Sequence, residues 1–185
     1  MNKEIHKVSR KVPEGMDLDR AWKEISEGSD RSAAIIGAAF VDDSLQCALE
    51  SRMIGLCFQV SNEIFVNGPL RSFSSKIFLG FALGLYGPLL KKDLNVIRNI
   101  RNAFAHAMMP ITFDSPEVAA ELKYLAFLGW HHQNPFTLGH PVPEEFSFPD
   151  SNREKYENTV RLLADRLFFF GLISNRKPPD PPELP

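Results

Sequence analysis

Apolar residues recur at spacings of three and four over most of this chain, and no stretch of useful length alternates strictly between apolar and polar. That period is the signature of helices packed on one face, so the pattern predicts an all-α protein. A loose, charged arm is expected over residues 1–16, which carry Pro13 and Gly15. Asp17 caps a predicted helix from Leu18 to Glu27, with Ala21, Trp22 and Ile25 inward and Gly28 ending it. A long apolar helix is then expected from about Arg31 to Val60. Asn67-Gly68-Pro69 marks a turn, and Ser72 or Ser74 opens a helix from about Ser75 to Tyr86, closed by Gly87-Pro88. Gly80 and Gly84 in that helix predict a smooth groove that another backbone can approach. Further helices are expected from about Lys91 to Ala107, from Pro116 to about Leu128 behind a Ser115 cap, and from Asp150 or Ser151 to about Ile173.

The whole reads as one bundle of about five or six helices spanning residues 17–174. Two segments stand outside the pattern. Residues 129–150 form a long loop holding His131, His132 and His140, and residues 175–185 form a proline-rich tail of polyproline-like character.

Composition narrows the function classes. The chain has 185 residues and a net charge of −2, so any nucleic-acid contact must come from a local basic patch rather than a bulk positive field. No uninterrupted apolar run reaches the roughly 18 residues of a membrane span, and the polar N-terminus carries no signal-peptide apolar region. Cys47 and Cys57 fall ten residues apart on one predicted helix. That places them roughly 15 Å from each other, too far to bridge. They read as reduced thiols, which points to the cytoplasm. No phosphate-cradling glycine loop, nucleophile elbow or Cys-x-x-Cys pair is present. The three loop histidines lack the Cys or closely spaced carboxylate that would complete a zinc set, so neither metal nor cofactor is expected.

Within the helix that ends near Ala107, Val96, Ile97, Ile100, Ala103 and Phe104 share one side. Arg98, Arg101, Asn102 and His106 share the other, a narrow face with two cations, an amide and a titratable imidazole. On the long helix, Asp42, Asp43 and Glu50 fall inside the apolar arc, where each needs a cation or several donors. Asp42 or Asp43 is the expected partner of Arg101 or Arg98, which would make the polar face a packing device. The alternatives are phosphodiester cleavage, with histidine as acid or base and arginine holding phosphate oxygens, or phosphate binding without chemistry.

Three stretches carry a resemblance. They are Arg31-x-Ala33-Ala-Ile35…Phe40-x-Asp42-Asp43-x-Leu45, then Gly68-Pro69-Leu70-x-x-Phe73-Ser74-x-Lys76-Ile77-x-Leu79-x-x-Ala82-Leu83-Gly84-Leu85, then Ile97-x-x-Ile100-Arg101-Asn102-x-Phe104-Ala105-His106. In this order and spacing they resemble the mannitol operon repressor (MltR-like) family, over roughly residues 29–128. The third also resembles the Arg-x4-His signature of the wider HEPN superfamily of helical bundles. The resemblance implies a homodimeric bacterial regulator of transcription that acts through a protein partner and carries no DNA-binding motif of its own. Arg98, Arg101, Asn102, Asp42, Asp43 and Lys76 become candidate binding residues. The alternative it implies is a metal-independent, toxin-like ribonuclease acting on RNA, with Arg101 and His106 catalytic at a dimer cleft and Asn102 in support. The loop at 129–150 and the tail have no counterpart in the family pattern.

Overall fold

The computed structural model describes residues 15–53, 58–129 and 149–174. The N-terminal arm up to residue 14, Cys57, the loop histidines and the proline tail lie outside these residues. Seven helices make up the described part, with no strand among the described residues: α1 Gly15–Glu27, α2 Asp30–Glu50, α3 Phe58–Phe65, α4 Phe73–Ala82, α5 Pro88–His106, α6 Pro116–Leu122 and α7 Asn152–Ser174. The all-helical bundle expected from the period is the observed architecture.

Five boundaries differ from the expectation, each for a local reason; one is the end of α6, which stops at Leu122 instead of about Leu128, where Tyr124 N–H donates to Glu121 O and Leu125 N–H to Leu122 O in i→i+3 bonds. Helix α1 starts at Gly15, ahead of the expected Asp17 cap. The expected Arg31–Val60 helix is two helices. At the end of α2 the chain tightens, with Arg52 N–H donating to Leu49 O and Met53 N–H to Glu50 O, while Ser51 Oγ donates to Ala48 O at 2.8 Å. Those i→i+3 bonds and the serine's competing hydroxyl end the regular ladder. Helix α4 stops at Ala82, because Gly84 adopts φ +68°, a left-handed conformation open to glycine at little cost. Pro88 does not close α4; it opens α5, where a first-turn proline loses no hydrogen bond.

Gly84 is therefore not on a helical groove, and Gly80 serves a side chain rather than a second backbone. A Cβ on Gly80 would meet Tyr86 Oη at 2.7 Å. The absent side chain lets the tyrosine ring fold over α4 and donate from Oη to Ile77 O at 2.8 Å.

Helix α2 is the centre of the bundle and packs most extensively on α7, then on α5, α1 and α4. Its length and composition would suit a membrane span, but here Ala33, Ala34, Ala38, Val41, Leu45, Ala48 and Leu49 are buried in the protein's own core. The tightest approach is at Gly37, where a Cβ would stand 3.1 Å from Val160 Cγ1 of α7. Beside it the buried Tyr156 donates to Ala34 O at 2.9 Å and packs on Phe113, which in turn packs on Phe104 of α5. This aromatic row joins α7, the α5–α6 connection and α5 across the core.

Two polar clusters fasten the bundle. Asp93, fully buried on α5, accepts from the backbone N–H of Ala126 (3.1 Å) and Phe127 (2.8 Å), capping a helical turn that starts at residue 127. Burial holds its carboxyl above the usual range, and those two donors pull it back. In the second cluster Arg153 of α7 reaches Asp30, Glu157 and the carbonyls that end α1.

Candidate functional site

The narrow polar face of α5 lies where α2, α4 and α5 meet. The residues of this face have different fates. Arg98 is partly buried and donates from Nη1 to Ser74 Oγ at 2.9 Å and from Nη2 to Asn99 Oδ1 at 3.1 Å. Asn99 in turn donates to Glu121 of α6 at 2.8 Å. Arg98 is thus a clamp between α5 and the start of α4. Arg101 is exposed and donates to its neighbour Asn102 at 3.1 Å. His106, the last residue of α5, is exposed as well.

The acid expected to hold Arg101 or Arg98 holds a different cation. Asp42 Oδ1 stands 2.7 Å from Lys76 Nζ, in a charge contact rather than an aligned hydrogen bond. The Lys76 side chain is only 5% exposed, and its ammonium also donates to Gln46 Oε1 at 3.2 Å. Gln46 donates onward to Glu50 Oε1 at 2.9 Å, and Ser61 of α3 donates to the same oxygen at 2.7 Å. Asp42, Gln46 and Glu50 form one i, i+4, i+8 line along α2, and Lys76 closes its end. The physical reason for Lys76 is reach: α4 crosses α2 with residue 76 buried, and a flexible four-carbon stem carries the charge through the apolar layer to the acid.

Burial raises Asp42 above the usual carboxylate range; Lys76 pulls it down, and Arg101 does so more weakly. Arg101 is therefore within electrostatic reach of Asp42 but is not its ion-pair partner. Asp43, the adjacent acid, is exposed on α2. Of the candidate residues, the fold brings Asp42 and Lys76 into contact, ties Arg98 to the same junction through Ser74, and leaves Arg101 and His106 facing solvent.

Residues outside the predicted set complete the arrangement. Arg31, at the start of α2, donates from Nη2 to Ala107 O at 2.8 Å, capping the C-terminus of α5 with a cation. The chain then passes through Met108 and Met109 and is fastened again where Phe113 N–H donates to Asp30 Oδ2 at 3.0 Å. Gln46 was legible only as a polar residue on a helical line, and Ser61 lay beyond the end expected for that helix. Arg31 carried no local signal, since its acceptor is 76 residues away.

The three sequence stretches that carry the family resemblance converge here. Asp42 of the first meets Lys76 of the second, Ser74 of the second meets Arg98 within the third, and Arg31 of the first holds the carbonyl that follows the third. Among the described residues no group of three His, Cys, Asp or Glu side chains comes together as a metal site. Cys47 lies partly buried, and burial pushes its thiol up to about 11, so it is a poor nucleophile at neutral pH. Two grooves of about 260 and 290 Å³ are present elsewhere on the surface, and neither is lined by a residue from 98 to 106. Comparison of the chain with protein-family models, curated protein sequences and solved structures yields no match.

Proposed function

We propose that this protein is a homodimeric cytoplasmic regulator of transcription that acts through protein–protein contacts, as its resemblance to the mannitol operon repressor family implies. The observation that carries the contact reading is the apolar tip beside His106. Met108 is 99% exposed and Met109 75%, in a core where most large apolar side chains are covered. The tip is not a frayed end: the backbone is pinned at Ala107 by Arg31 and at Phe113 by Asp30. A pinned, exposed methionine pair is the composition that contact surfaces favour, since methionine adapts to a partner and is enriched at interfaces. We assign this tip to self-association.

Sedimentation velocity tests it. The wild-type chain is expected to sediment as a dimer at micromolar concentration, and Met108→Asp/Met109→Asp as a folded monomer. A monomeric wild type, or a variant that stays dimeric, would overturn the assignment. The same wild-type protein is expected to give no sequence-specific shift of DNA from its own operon at physiological salt.

A second reading rests on a separate observation. Arg101 is not consumed by Asp42, and both Arg101 and His106 reach solvent, as a metal-independent ribonuclease requires of its phosphate holder and its acid or base. If this reading holds, labelled RNA incubated with the dimer and a chelator is cleaved, and His106→Ala slows cleavage by about 10²–10⁴-fold. Equal background cleavage by wild type and His106→Ala leaves the non-enzymatic regulator as the reading.

A further inference from the structure

At the end of α5 farthest from the methionine tip lies a groove of about 260 Å³ whose walls include Leu85, Pro88, Leu90, Phe127 and Leu167. One charged residue, Arg166 of α7, is among its described lining. Tyr86 also faces the groove, but its hydroxyl is engaged by Ile77 O. Arg166 is partly buried, with its guanidinium over the Phe127 ring at 5.7 Å from the centroid. Among the described residues it has no carboxylate and no hydrogen-bond acceptor, whereas Arg31, Arg98, Arg101 and Arg153 each have at least one.

That is an unusual state for a guanidinium. It carries five N–H donors and stays charged, so withdrawing it from water without an acceptor leaves a large desolvation cost uncompensated. Burial lowers its proton affinity from the usual value, consistent with a cation short of a counter-charge. The Phe127 ring lies within cation–π range of the guanidinium but offers it no hydrogen-bond acceptor, so the N–H donors are available to a planar anion. Most of the described wall is hydrocarbon, from Leu85, Pro88, Leu89, Leu90, Phe127 and Leu167, which suits a ligand with an apolar body.

We propose that this groove is a binding site for a small monocarboxylate with an apolar body, its carboxylate held by Arg166 and its hydrocarbon part lying against Leu85, Leu90, Phe127 and Leu167. The volume is just below the usual range for ligand pockets of about 300–1,000 Å³, which fits a small ligand. The first turn of α5 forms another wall, and its backbone N–H groups have no side-chain cap, so the field there has the same sign as that of Arg166. The site is independent of the self-association tip: α5 has 19 residues, which at about 1.5 Å per residue separates its ends by roughly 27 Å.

Three probes test the two halves of the site by calorimetric titration of the full chain: octanoate, octan-1-ol and acetate. Octanoate is expected to bind at least tenfold more tightly than either octanol, which lacks the charge, or acetate, which lacks the body. Arg166→Gln is expected to reduce octanoate affinity to that of octanol while leaving octanol binding unchanged, which also reports that the groove remains folded. Arg166→Lys keeps the charge but not the fork and is expected to fall between the two. Equal affinity for octanoate and octanol, octanoate binding unchanged in Arg166→Gln, or no octanoate binding by the folded wild type at millimolar concentration would each overturn the proposal.

Discussion

Replacing Arg153 with methionine is expected to destabilise the protein by about 3 kcal/mol, the lower end of the range for removing one partner from a buried charged cluster. The reason is the number of groups left behind. Arg153 Nε donates to Glu157 Oε1 at 2.7 Å and Nη1 to Asp30 Oδ1 at 3.0 Å. Nη2 lies within 3.0 Å of three carbonyls, those of Ile25, Ser26 and Gly28. These are the exposed ends of α1's dipole, and Asp30 opens α2, so one cation compensates a helix C-terminus and two carboxylates at once. Methionine fills the space of the stem and satisfies none of them. Because the side chain is still 28% exposed, water can reach part of the cluster, and the lower figure applies. In a chain of this size that energy corresponds to a fall of about 6–12 °C in melting temperature. Arg153→Lys is expected to recover less than half, since an ammonium cannot span the carbonyls and both acids. Calorimetry on the three proteins checks this, and a methionine variant melting within 2 °C of wild type, a fall of less than about 1 kcal/mol, would sink it.

The second large effect is at the junction of α2 and α4. Lys76→Met is expected to cost about 3 kcal/mol, because it leaves Asp42 in an apolar arc without its cation. Asp42→Leu is expected to cost a similar amount for the converse reason: Lys76 is the more buried of the two. The double variant Asp42→Leu/Lys76→Met is expected to lie within about 1 kcal/mol of wild type, because both desolvation penalties vanish together. The sign of the pH dependence is fixed by Asp42. Its carboxyl already titrates above the ordinary value of 3.8 through burial, and loss of Lys76 raises it further. A carboxyl whose folded-state value is raised binds more protons folded than unfolded. Its variant is therefore most stable below the unfolded value and loses that stability as pH rises through the folded one. Lys76→Met should thus recover stability as pH falls from neutrality, a trend the double variant should lack. Urea denaturation across pH reads both, and single-variant losses that simply add in the double would refute the pairing.

The two effects differ in how far they could be read ahead of the fold. Asp42 was conspicuous in one dimension, as a carboxylate inside an apolar arc, and the need for a cation followed from the cost of burying it alone. Which cation did not follow. Arg98 and Arg101 lay on a face that pointed to chemistry, whereas Lys76 sat in the middle of an apolar helix where the period alone would place a hydrocarbon. Only the crossing of α4 over α2 brings its ammonium to the acid, and Arg98 is then taken up by Ser74. Arg153 signalled only its i,i+4 pair with Glu157, and nothing in the sequence marked its remaining acceptors. Its acceptors are backbone carbonyls more than 120 residues away, and a carbonyl at a helix end is the same whatever residue carries it.

Helix ends show the same division. Gly28 and Ser115 marked boundaries because their effects are local, through the close approach of the Glu24 carbonyl that a missing side chain permits in one case and a proline-led first turn in the other. The break after Glu50 was missed because apolar residues continue through it, and periodicity cannot distinguish one long helix from two that bury the same kind of face. Gly55 and the polar Ser51-Arg52 pair were the available hints.

The sequence by itself determined the helical class, most of the helix positions, the inward faces of α1 and α5, and the polar face from Arg98 to His106. All of these depend on side-chain identity and on spacings within one element. On α2 the expected arc was off, since the buried line is Ala34, Gly37, Val41, Ser44, Leu45 and Ala48, with Asp42 at its edge and Asp43 exposed. Only the tertiary structure decided that Lys76 neutralises Asp42, that Arg153 and Arg31 cap helices distant in sequence, that Met108 and Met109 stand uncovered, and that Arg166 lines a largely apolar groove with no counter-charge among the described residues. Each of those depends on which elements cross and how closely, and the burial that makes a charge costly or a methionine conspicuous exists only once they have.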